Sequence, residues 1–273
     1  MKLTELLEKK PMLKRLYTML EYGISTTALQ VLRANMNAYD IEEETLTKGH
    51  IEGLRKQIID NMSTKDYSSR DIAEIDNIIS IYGMTAVDVQ GKETPEANIN
   101  ISFASRFYDN AKNCFEEERQ RLSCIILSNE LLKPKTYFLR TIDVFFRVDA
   151  FELDWFYEVS KFVFDEACVP EFILTDNKFY PYNKFQTLID AGFVNSPNGT
   201  ISFSENTTMH FVGAEIKIDK INSSFGVSTY TLTDAGNQLL GLKSQAAEDD
   251  FLNKFKEVIE KNNRAKVVSI EHK

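Results

Sequence analysis

The stretch PMLKRLYTMLEYGISTTALQVLR (Pro11–Arg33) carries the pattern that decides the fold of this chain. Its apolar residues recur at intervals of three and four, which is the spacing of one stripe along an α-helix. The residues of this stripe are Leu13, Leu16, Tyr17 and Leu20. Gly23 predicts the end of the helix, and the run Ser25–Thr26–Thr27 predicts the N-cap of the next one. The same periodicity continues to about residue 164, so residues 1–165 are predicted to form a helical bundle.

Start and stop signals divide this bundle further. The acidic run 42–44 suits the positive end of a helix dipole and predicts a helix start. Ser68 or Ser69 predicts an N-cap, Gly83 predicts a helix end, and residues 84–100 predict a loop and a second, internal boundary. Ile125 is expected in the core of one of the helices that follow. These helices are expected over 102–114, 116–132, 136–147 and 151–165.

The pattern changes after Pro170. A short helix through Leu188 is followed by alternating runs typical of β-strands, and Thr233 predicts the N-cap of another helix. Residues 248–250 predict the start of a final helix, and the last ten residues are expected to be frayed. The chain is therefore predicted to be mainly α, with a second domain over residues 170–273 in which helix, β-hairpin and helix follow one another.

The composition is that of an ordinary globular protein with an excess of acid. Asp and Glu number 41 against 32 Lys and Arg in 273 residues, so the net charge is −9 and the pI is about 5.1. Such a charge disfavours non-specific binding to nucleic acid, which depends on Lys and Arg facing phosphates. The sequence has no apolar window long enough for a transmembrane helix and no secretory signal. We therefore expect a cytoplasmic protein.

The common catalytic and metal-binding motifs are missing. The three cysteines, Cys114, Cys124 and Cys168, lack the paired spacing of a zinc site and are expected to be buried thiols. The two glycine-rich motifs that bind phosphate, G-x-x-x-x-G-K-[ST] and G-x-G-x-x-G, do not occur, and neither do G-x-S-x-G and H-E-x-x-H. The sequence therefore predicts no metal, no cofactor and no catalytic residue.

Residues 101–164 contain Arg106–Phe107–Tyr108, Glu118, Gln120, Ile126–Leu127, Glu130, Pro134 and Leu139–Arg140–Thr141–Ile142. With these residues the segment resembles the bacterial family called domain of unknown function 2806. The family has a similar helix, a proline break and a Leu-Arg-Thr-Leu start to the next helix. Ser123 stands where the family usually has Trp, and Lys135 where it usually has Gly. The resemblance implies a bacterial, cytosolic origin. Related helical modules occur among phage-defence proteins, which implies an accessory role in a bacterial defence or mobile-element system.

Two later segments are LIDAGFV (Leu188–Val194) and TLTDAGNQLLGL (Thr231–Leu242). They look like the two signatures of winged-helix domains. In such domains the first ends a helix before the wing, and the second is a Thr-capped helix after it. The resemblance implies a winged-helix-like α+β domain followed by a C-terminal helix, and it implies a fold more than a function.

A winged helix can place a helix in the major groove of DNA, so a DNA-binding transcriptional regulator is an alternative function. Its candidate contacts are Lys184, Lys217 and Lys220. However, residues 170–243 hold five Lys, seven acidic residues and no Arg, a net charge of −2, and Arg is the residue most used to read guanine. A structural or protein-binding winged helix is therefore the preferred interpretation.

The segment Glu215–Ile216–Lys217 suggests a second alternative, a Mg²⁺-dependent nuclease. Residues two apart share one face of a strand, where a carboxylate and a lysine can lie beside a metal ion. Such a site also needs an acidic residue from a neighbouring strand, and the sequence identifies none. The simpler interpretation is the solvent-facing side of a strand.

Residues 1–33 differ from the rest of the chain in charge. They hold six basic and three acidic residues, so they carry +3 and the remaining 240 residues carry −12. A basic amphipathic helix of this kind can dock in the groove of a partner or lie on a membrane surface. The partner-binding candidates are Lys9, Lys10, Lys14 and Arg15. The alternative is a helix that packs in its own bundle and leaves these side chains solvated.

Two features of the middle of the chain also concern partners. Arg140 is a candidate anchor for an anionic partner, or it pairs with a carboxylate such as Glu130 and holds two helices in register. The aromatic run over residues 145–157 is either core or an oligomer interface. The leading hypothesis is a non-enzymatic protein-interaction or assembly component, with a protein partner or self-association.

Overall fold

Helices dominate this chain, as the periodicity predicts. The computed structural model describes residues 1–165, 167–196, 198–203, 205–220, 224–261 and 265–272. The contacts within the chain divide it into unit 1, Met1–Phe146, and unit 2, Arg147–Lys273. None of the described helices is long and apolar enough to cross a membrane.

The division between the units lies about twenty residues before the one expected from the sequence. The reason is the helix that follows residue 149, which packs against residues later in the chain. The ring of Phe156 stacks on that of Phe193 with centroids 4.4 Å apart. The hydroxyl of Tyr180 donates a hydrogen bond to the carbonyl of Trp155 at 2.9 Å. This helix therefore belongs to unit 2.

Unit 1 is a bundle in which α5 is the central helix. Its described helices are α1 (Leu3–Lys9), α2 (Pro11–Gly23), α3 (Thr26–Ala38), α4 (Lys48–Ser63), α5 (Ser69–Val89), α6 (Ile101–Ala111), α7 (Glu117–Leu132) and α8 (Leu139–Arg147). Helix α5 packs against α4 and α7, and α2 packs against α6. The predicted caps are confirmed, because the hydroxyls of Ser25 and Ser68 accept hydrogen bonds from the backbone N–H groups of Ala28 and Asp71.

Two predicted boundaries in unit 1 are wrong. Gly83 does not end a helix but lies inside α5, where a Cβ atom would come 2.1 Å from Cγ2 of Ile51. The missing side chain therefore lets α4 and α5 approach each other. The acidic run 42–44 does not open a helix. Helix α4 begins at Lys48, because the hydroxyl of Thr47 accepts a hydrogen bond from the N–H of His50 and caps the helix there.

Unit 2 combines helices with short antiparallel strands. Its described helices are α9 (Ala150–Val159), α10 (Tyr182–Asp190), α11 (Asp234–Leu240) and α12 (Asp249–Glu260), with 3₁₀ turns at Ser160–Phe162 and Glu171–Asn177. Its strands are β1 (Cys168–Pro170), β2 (Gly199–Phe203), β3 (Thr207–Phe211), β4 (Ala214–Lys220), β5 (Phe225–Thr231) and β6 (Ala265–His272). They form two three-stranded sheets, ordered β1-β5-β2 and β3-β4-β6. The hydroxyl of Thr233 caps α11, as predicted.

The prediction of a frayed C-terminal end is wrong. Strand β6 pairs antiparallel with β4, with Glu271 opposite Glu215, and it covers the edge of β4 that β3 leaves open. Strands β3 and β4 are joined by a tight turn in which Gly213 has a φ of 74°, a conformation that favours glycine.

Phenylalanine rings fill the core of unit 2. Phe251 and Phe255 of α12 contact rings from the strands and from the 3₁₀ turns. For example, the ring centroid of Phe211 lies 5.2 Å from that of Phe255 and 5.6 Å from that of Phe251. This cluster accounts for much of the high Phe content of the chain, because edge-on and tilted rings pack densely around one helix.

Candidate interaction surface

A buried carboxylate organises the loop between α7 and α8. Glu130, near the end of α7, is 1% exposed. Its Oε1 accepts hydrogen bonds from the backbone N–H of Lys135 at 2.8 Å and from the side-chain amide of Asn100 at 3.2 Å. Its Oε2 accepts one from the N–H of Tyr137 at 3.3 Å. Burial raises the pKa of Glu130, and these hydrogen bonds act in the opposite direction.

The same loop contains an unusual backbone conformation. Pro134 follows the C-cap of α7, and the next residue, Lys135, has a φ of 70°. This left-handed region favours glycine. Lys135 therefore holds a conformation that a glycine would adopt without strain.

Exposed apolar side chains collect where α6 and α8 begin. The side chain of Asn100 and the N–H of Tyr137 both donate hydrogen bonds to Glu130, so the starts of α6 and α8 lie close together. Within the two helices, Nη1 of Arg106 lies 3.1 Å from the carboxylate of Asp143. Large apolar side chains lie exposed at this common end of unit 1. They are Ile101, Phe138 and Leu139, of which Phe138 is 48% exposed.

Basic residues flank Phe138 and Leu139 in the sequence. No acidic residue occurs between positions 133 and 140, and all three basic side chains of this segment are exposed. We call the basic patch the set Lys133, Lys135, Phe138, Leu139 and Arg140. It combines an aliphatic side chain with an aromatic ring and a guanidinium, and aromatic and Arg side chains are enriched at protein interfaces.

The structure gives Arg140 a contact that the sequence did not predict. Its guanidinium carbon lies 5.1 Å from the ring centroid of Phe138, within the range of a cation–π interaction. Arg140 is exposed, whereas the carboxylate of Glu130 is buried and accepts its hydrogen bonds from the loop and from Asn100. Arg140 is thus presented on the surface together with an aromatic ring.

The N-terminal candidates are distributed over two helices. The apolar face of α2 is buried inside unit 1, so a partner could contact only its charged face. Lys9 and Lys14 are exposed, and Lys14 lines a cleft of about 380 Å³ together with Glu8, Glu21 and Arg33. This cleft carries charges of both signs, which makes it a poor site for an anion.

Lys10 and Arg15 are half-buried rather than solvated. Lys10 lies at the junction of α1 and α2. Nη1 of Arg15 donates a hydrogen bond to the carbonyl of Ala97 at 2.8 Å. Burial lowers the pKa of Arg15, and the nearby charge of Glu130 opposes this shift. Arg15 therefore ties α2 to the segment before α6.

The lysines proposed to contact DNA bond to other residues of unit 2. Nζ of Lys184 lies 3.6 Å from the carboxylate of Glu158 and 5.0 Å from the ring centroid of Trp155. Nζ of Lys217 lies 2.6 Å from the carboxylate of Glu271. The side chain of Lys220 lies outside the described residues. Two of the three charges are therefore already matched within the chain.

The Glu215–Lys217 pair lies on one face of β4, as the strand period predicts. Oε1 of Glu215 is 2.7 Å from Nδ1 of His210 on β3. The neighbouring strand β6 supplies an acidic residue, Glu271, but this carboxylate bonds to Lys217, and the bond raises the pKa of Lys217 and lowers that of Glu271. Among the described residues, no group of three or more His, Cys, Asp or Glu side chains could hold a metal ion.

The cysteines are buried, as predicted. Burial raises the pKa of the Cys114 thiol to about 11 and also raises the pKa of Cys124 and Cys168. At neutral pH these groups are therefore thiols, which are weak nucleophiles.

The aromatic run divides between core and surface. Phe145, Phe156 and Tyr157 are fully buried, which supports the core interpretation for these three rings. Phe151 is exposed and packs edge-on against the half-buried Trp155 with centroids 4.8 Å apart. This edge of α9 remains a second exposed aromatic surface.

Two exposed apolar residues lie on α7 or just before it, and the sequence pattern assigned one to the core and did not single out the other. Ile125, expected in the core, is 39% exposed, and Phe115, just before α7, is 65% exposed. The signal in the sequence is that Leu122, Ile125, Ile126 and Leu127 span too wide an arc for a single buried stripe. One of them had to face outward.

Comparisons with known proteins give no relative for this site. The chain matches no family model, no curated protein and no solved structure.

Proposed function

We propose that this chain is a non-enzymatic protein-interaction or assembly component, and that unit 1 binds its partner through the basic patch. The observation that carries the proposal is the exposure of Phe138 and Leu139 beside Arg140, next to the exposed Ile101. Burying such side chains in an interface contributes roughly 1.5–3 kcal/mol each when burial is complete. Aromatic and Arg side chains account for most interface hot spots.

The loop that presents the patch is built to be rigid. Two hydrogen bonds to Glu130, from the N–H groups of Lys135 and Tyr137, hold residues 135–137, so Phe138 and Arg140 start α8 from a defined position. A preorganised surface loses less conformational entropy on binding than a mobile loop does. This supports a docking role for the patch.

The test compares the wild-type chain with a Phe138→Ser/Arg140→Glu variant as bait in affinity capture from a bacterial extract. The matched control is Tyr22→Ser/Arg70→Glu, which removes an exposed aromatic ring and reverses an exposed Arg elsewhere on unit 1. We expect a protein that the wild type and the control retain and the patch variant loses. The proposal is wrong if the chain is strictly monomeric and retains no protein, or if the patch variant retains as much as the wild type.

For unit 2 we infer a winged-helix-like arrangement. Helix α10, strands β2 and β5, and helix α11 follow in the expected order, with β3 and β4 inserted between the two paired strands. The two signature segments lie side by side, because the N–H of Thr233 donates to the carbonyl of Phe193 at 2.9 Å and Val194 bridges to Leu232. The pairing of Lys184 and Lys217 within the chain supports a structural role more than DNA binding.

The resemblance in residues 101–164 extends the proposal to an accessory of a bacterial defence or mobile-element system. The patch variant tests this in cells. We expect bacteria that carry the wild-type chain in its native context to resist phage better than bacteria that carry Phe138→Ser/Arg140→Glu. Equal plaque counts on the two strains would remove this part of the proposal.

A further inference from the structure

We propose that a second copy of this chain pairs with the first along α7, antiparallel, with Ile125 of the two copies at the two-fold axis. The inference rests on the proposed function as an assembly component and names its partner. The contact would run from the start of α7 to the basic patch.

Helix α7 exposes one large apolar side chain on an otherwise polar outer face. Its inward side buries mostly apolar residues, together with Ser123, Ser128 and Glu130, whereas Ile125 lies exposed at its middle. The outer face of a surface helix is ordinarily polar, so an exposed Ile at its centre is an exception. The exposed face of α7 is therefore one that a partner could cover.

The two ends of α7 carry opposite charges. Glu117 and Glu118 are exposed in its first turn, and Lys133 and Lys135 are exposed just after its last turn. Among the described residues, Glu117, Lys133 and Lys135 make no ion pair. Glu118 lies 4.0 Å from Arg121. Each end also has an exposed ring, Phe115 at the acidic end and Phe138 at the basic end.

Ile125 is equidistant from the two ends. It lies eight positions after Glu117 and eight before Lys133, about 12 Å along the helix in each direction. If two copies of α7 cross antiparallel at Ile125, the acidic end of each therefore lies against the basic end of the other. A parallel pairing would put Glu117 against Glu117 and Lys133 against Lys133, which is repulsive.

This symmetry indicates a second copy as the occupant. A two-fold interface uses the same surface on both partners, so the surface must complement itself. The face of α7 complements itself in charge, because one end is acidic and the other is basic. An unrelated partner would need an acidic and a basic group at the same spacing. Acid at the start and base at the end of a helix also suit its own dipole, but the dipole does not explain why Ile125 is exposed.

The first test uses charge reversal and mixing. In Glu117→Lys/Glu118→Lys both ends of α7 are basic, and in Lys133→Glu/Lys135→Glu both are acidic. Analytical ultracentrifugation of the full chain measures association. We expect a wild-type dimer with a Kd in the micromolar range, at the weak end of protein–protein interfaces. Each variant alone should bind itself at least about tenfold more weakly, and an equimolar mixture should associate again, with the mixed dimer weakened by added salt.

The second test uses cross-linking at the axis. Ile125→Cys adds one exposed thiol to a chain whose own cysteines are buried. Under mild oxidation we expect a disulfide-linked dimer of Ile125→Cys, and much less dimer from the control Lys56→Cys, which is exposed on α4. Circular dichroism checks that each variant keeps its helices.

Several outcomes would overturn the inference. They are a wild-type chain that stays monomeric well above the expected Kd, an Ile125→Cys variant that cross-links no better than the control, or charge variants that associate as the wild type does. A monomeric chain that still captures another protein through the basic patch would leave the proposed function standing and remove only this inference.

Discussion

The backbone N–H of Lys135 donates a hydrogen bond to the buried carboxylate of Glu130 at 2.8 Å, and this contact closes the loop between α7 and α8. The carboxylate lies inside the bundle, where burial disfavours its charge, while Lys135 has a strained backbone conformation on the surface. The loop therefore holds the basic patch in place although the burial of Glu130 and the backbone of Lys135 each lower the stability of the folded chain. Both effects on stability can be measured.

The pH dependence of stability should reveal the cost at Glu130. Its pKa is raised in the folded chain, so the folded state binds the proton more tightly than the unfolded state. The contribution of Glu130 to stability is therefore full below its unfolded pKa and is lost as the pH rises through the raised, folded pKa. Glu130→Gln stays neutral, so its stability relative to the wild type should improve as the pH rises through this window.

Urea unfolding at several values from about pH 4 to about pH 8 measures this difference. The control is Glu93→Gln, which removes an exposed carboxylate from the loop after α5. A stability difference between Glu130→Gln and the wild type that does not change with pH would contradict the prediction.

The cost at Lys135 should be relieved by glycine. Steric strain in the left-handed region lowers the stability of the folded chain by about 1–2 kcal/mol for a non-glycine residue. A glycine avoids this strain but lowers the stability by about 0.5–1 kcal/mol, because it loses more backbone entropy on folding. Lys135→Gly should therefore raise the free energy of unfolding by about 0.5 kcal/mol. Lys133→Gly, where φ is −137°, should lower it instead. Thermal unfolding of both variants checks this, and equal losses would show that residue 135 is not strained.

The close approach of α4 and α5 should tolerate no side chain at Gly83. In Gly83→Ala the new Cβ meets Ile51, and overpacking of this kind costs about 2 kcal/mol. Gly49→Ala on α4, whose Cβ would lie 3.7 Å from the nearest atom, should instead stabilise the chain by about 0.5–1 kcal/mol.

A double-mutant cycle identifies the cause at Gly83. Ile51→Ala should cost less in the Gly83→Ala background than in the wild type, because it removes the atoms that collide. Denaturant unfolding gives the four free energies. If the two effects simply add, contact with Ile51 is not the reason for glycine at this position.

Neighbouring valines on β6 test whether the C-terminal residues form a strand. Val267 is 6% exposed and Val268 is 57% exposed. Val267→Asp should therefore lower the free energy of unfolding by about 3 kcal/mol, because it buries a charge, and Val268→Asp should change it by less than about 0.5 kcal/mol. Equal, small effects of the two substitutions would restore the frayed end that the sequence suggested.

Local signals were enough for the helical character and for several helix starts. A cap joins residues three positions apart, so Ser25, Ser68 and Thr233 could be recognised from their immediate neighbours. The final helix of unit 2 was predicted for a similar reason, because Phe251 and Phe255 recur at helical spacing after an acidic start. Such patterns act within one or two turns and need no knowledge of the rest of the chain.

The features that the sequence did not reveal depend on residues far apart along the chain. Gly83 has the local signature of a helix end, and only its contact with Ile51, thirty-two positions earlier, explains a glycine inside α5. Likewise, the C-terminal residues form β6 because they pair with β4. Which apolar residue of α7 faces outward was decided by how α5 packs on the helix, and Arg140 was placed by the loop around Glu130. Periodicity counts apolar residues along one helix, but exposure depends on which neighbours the folded chain brings to each side of it.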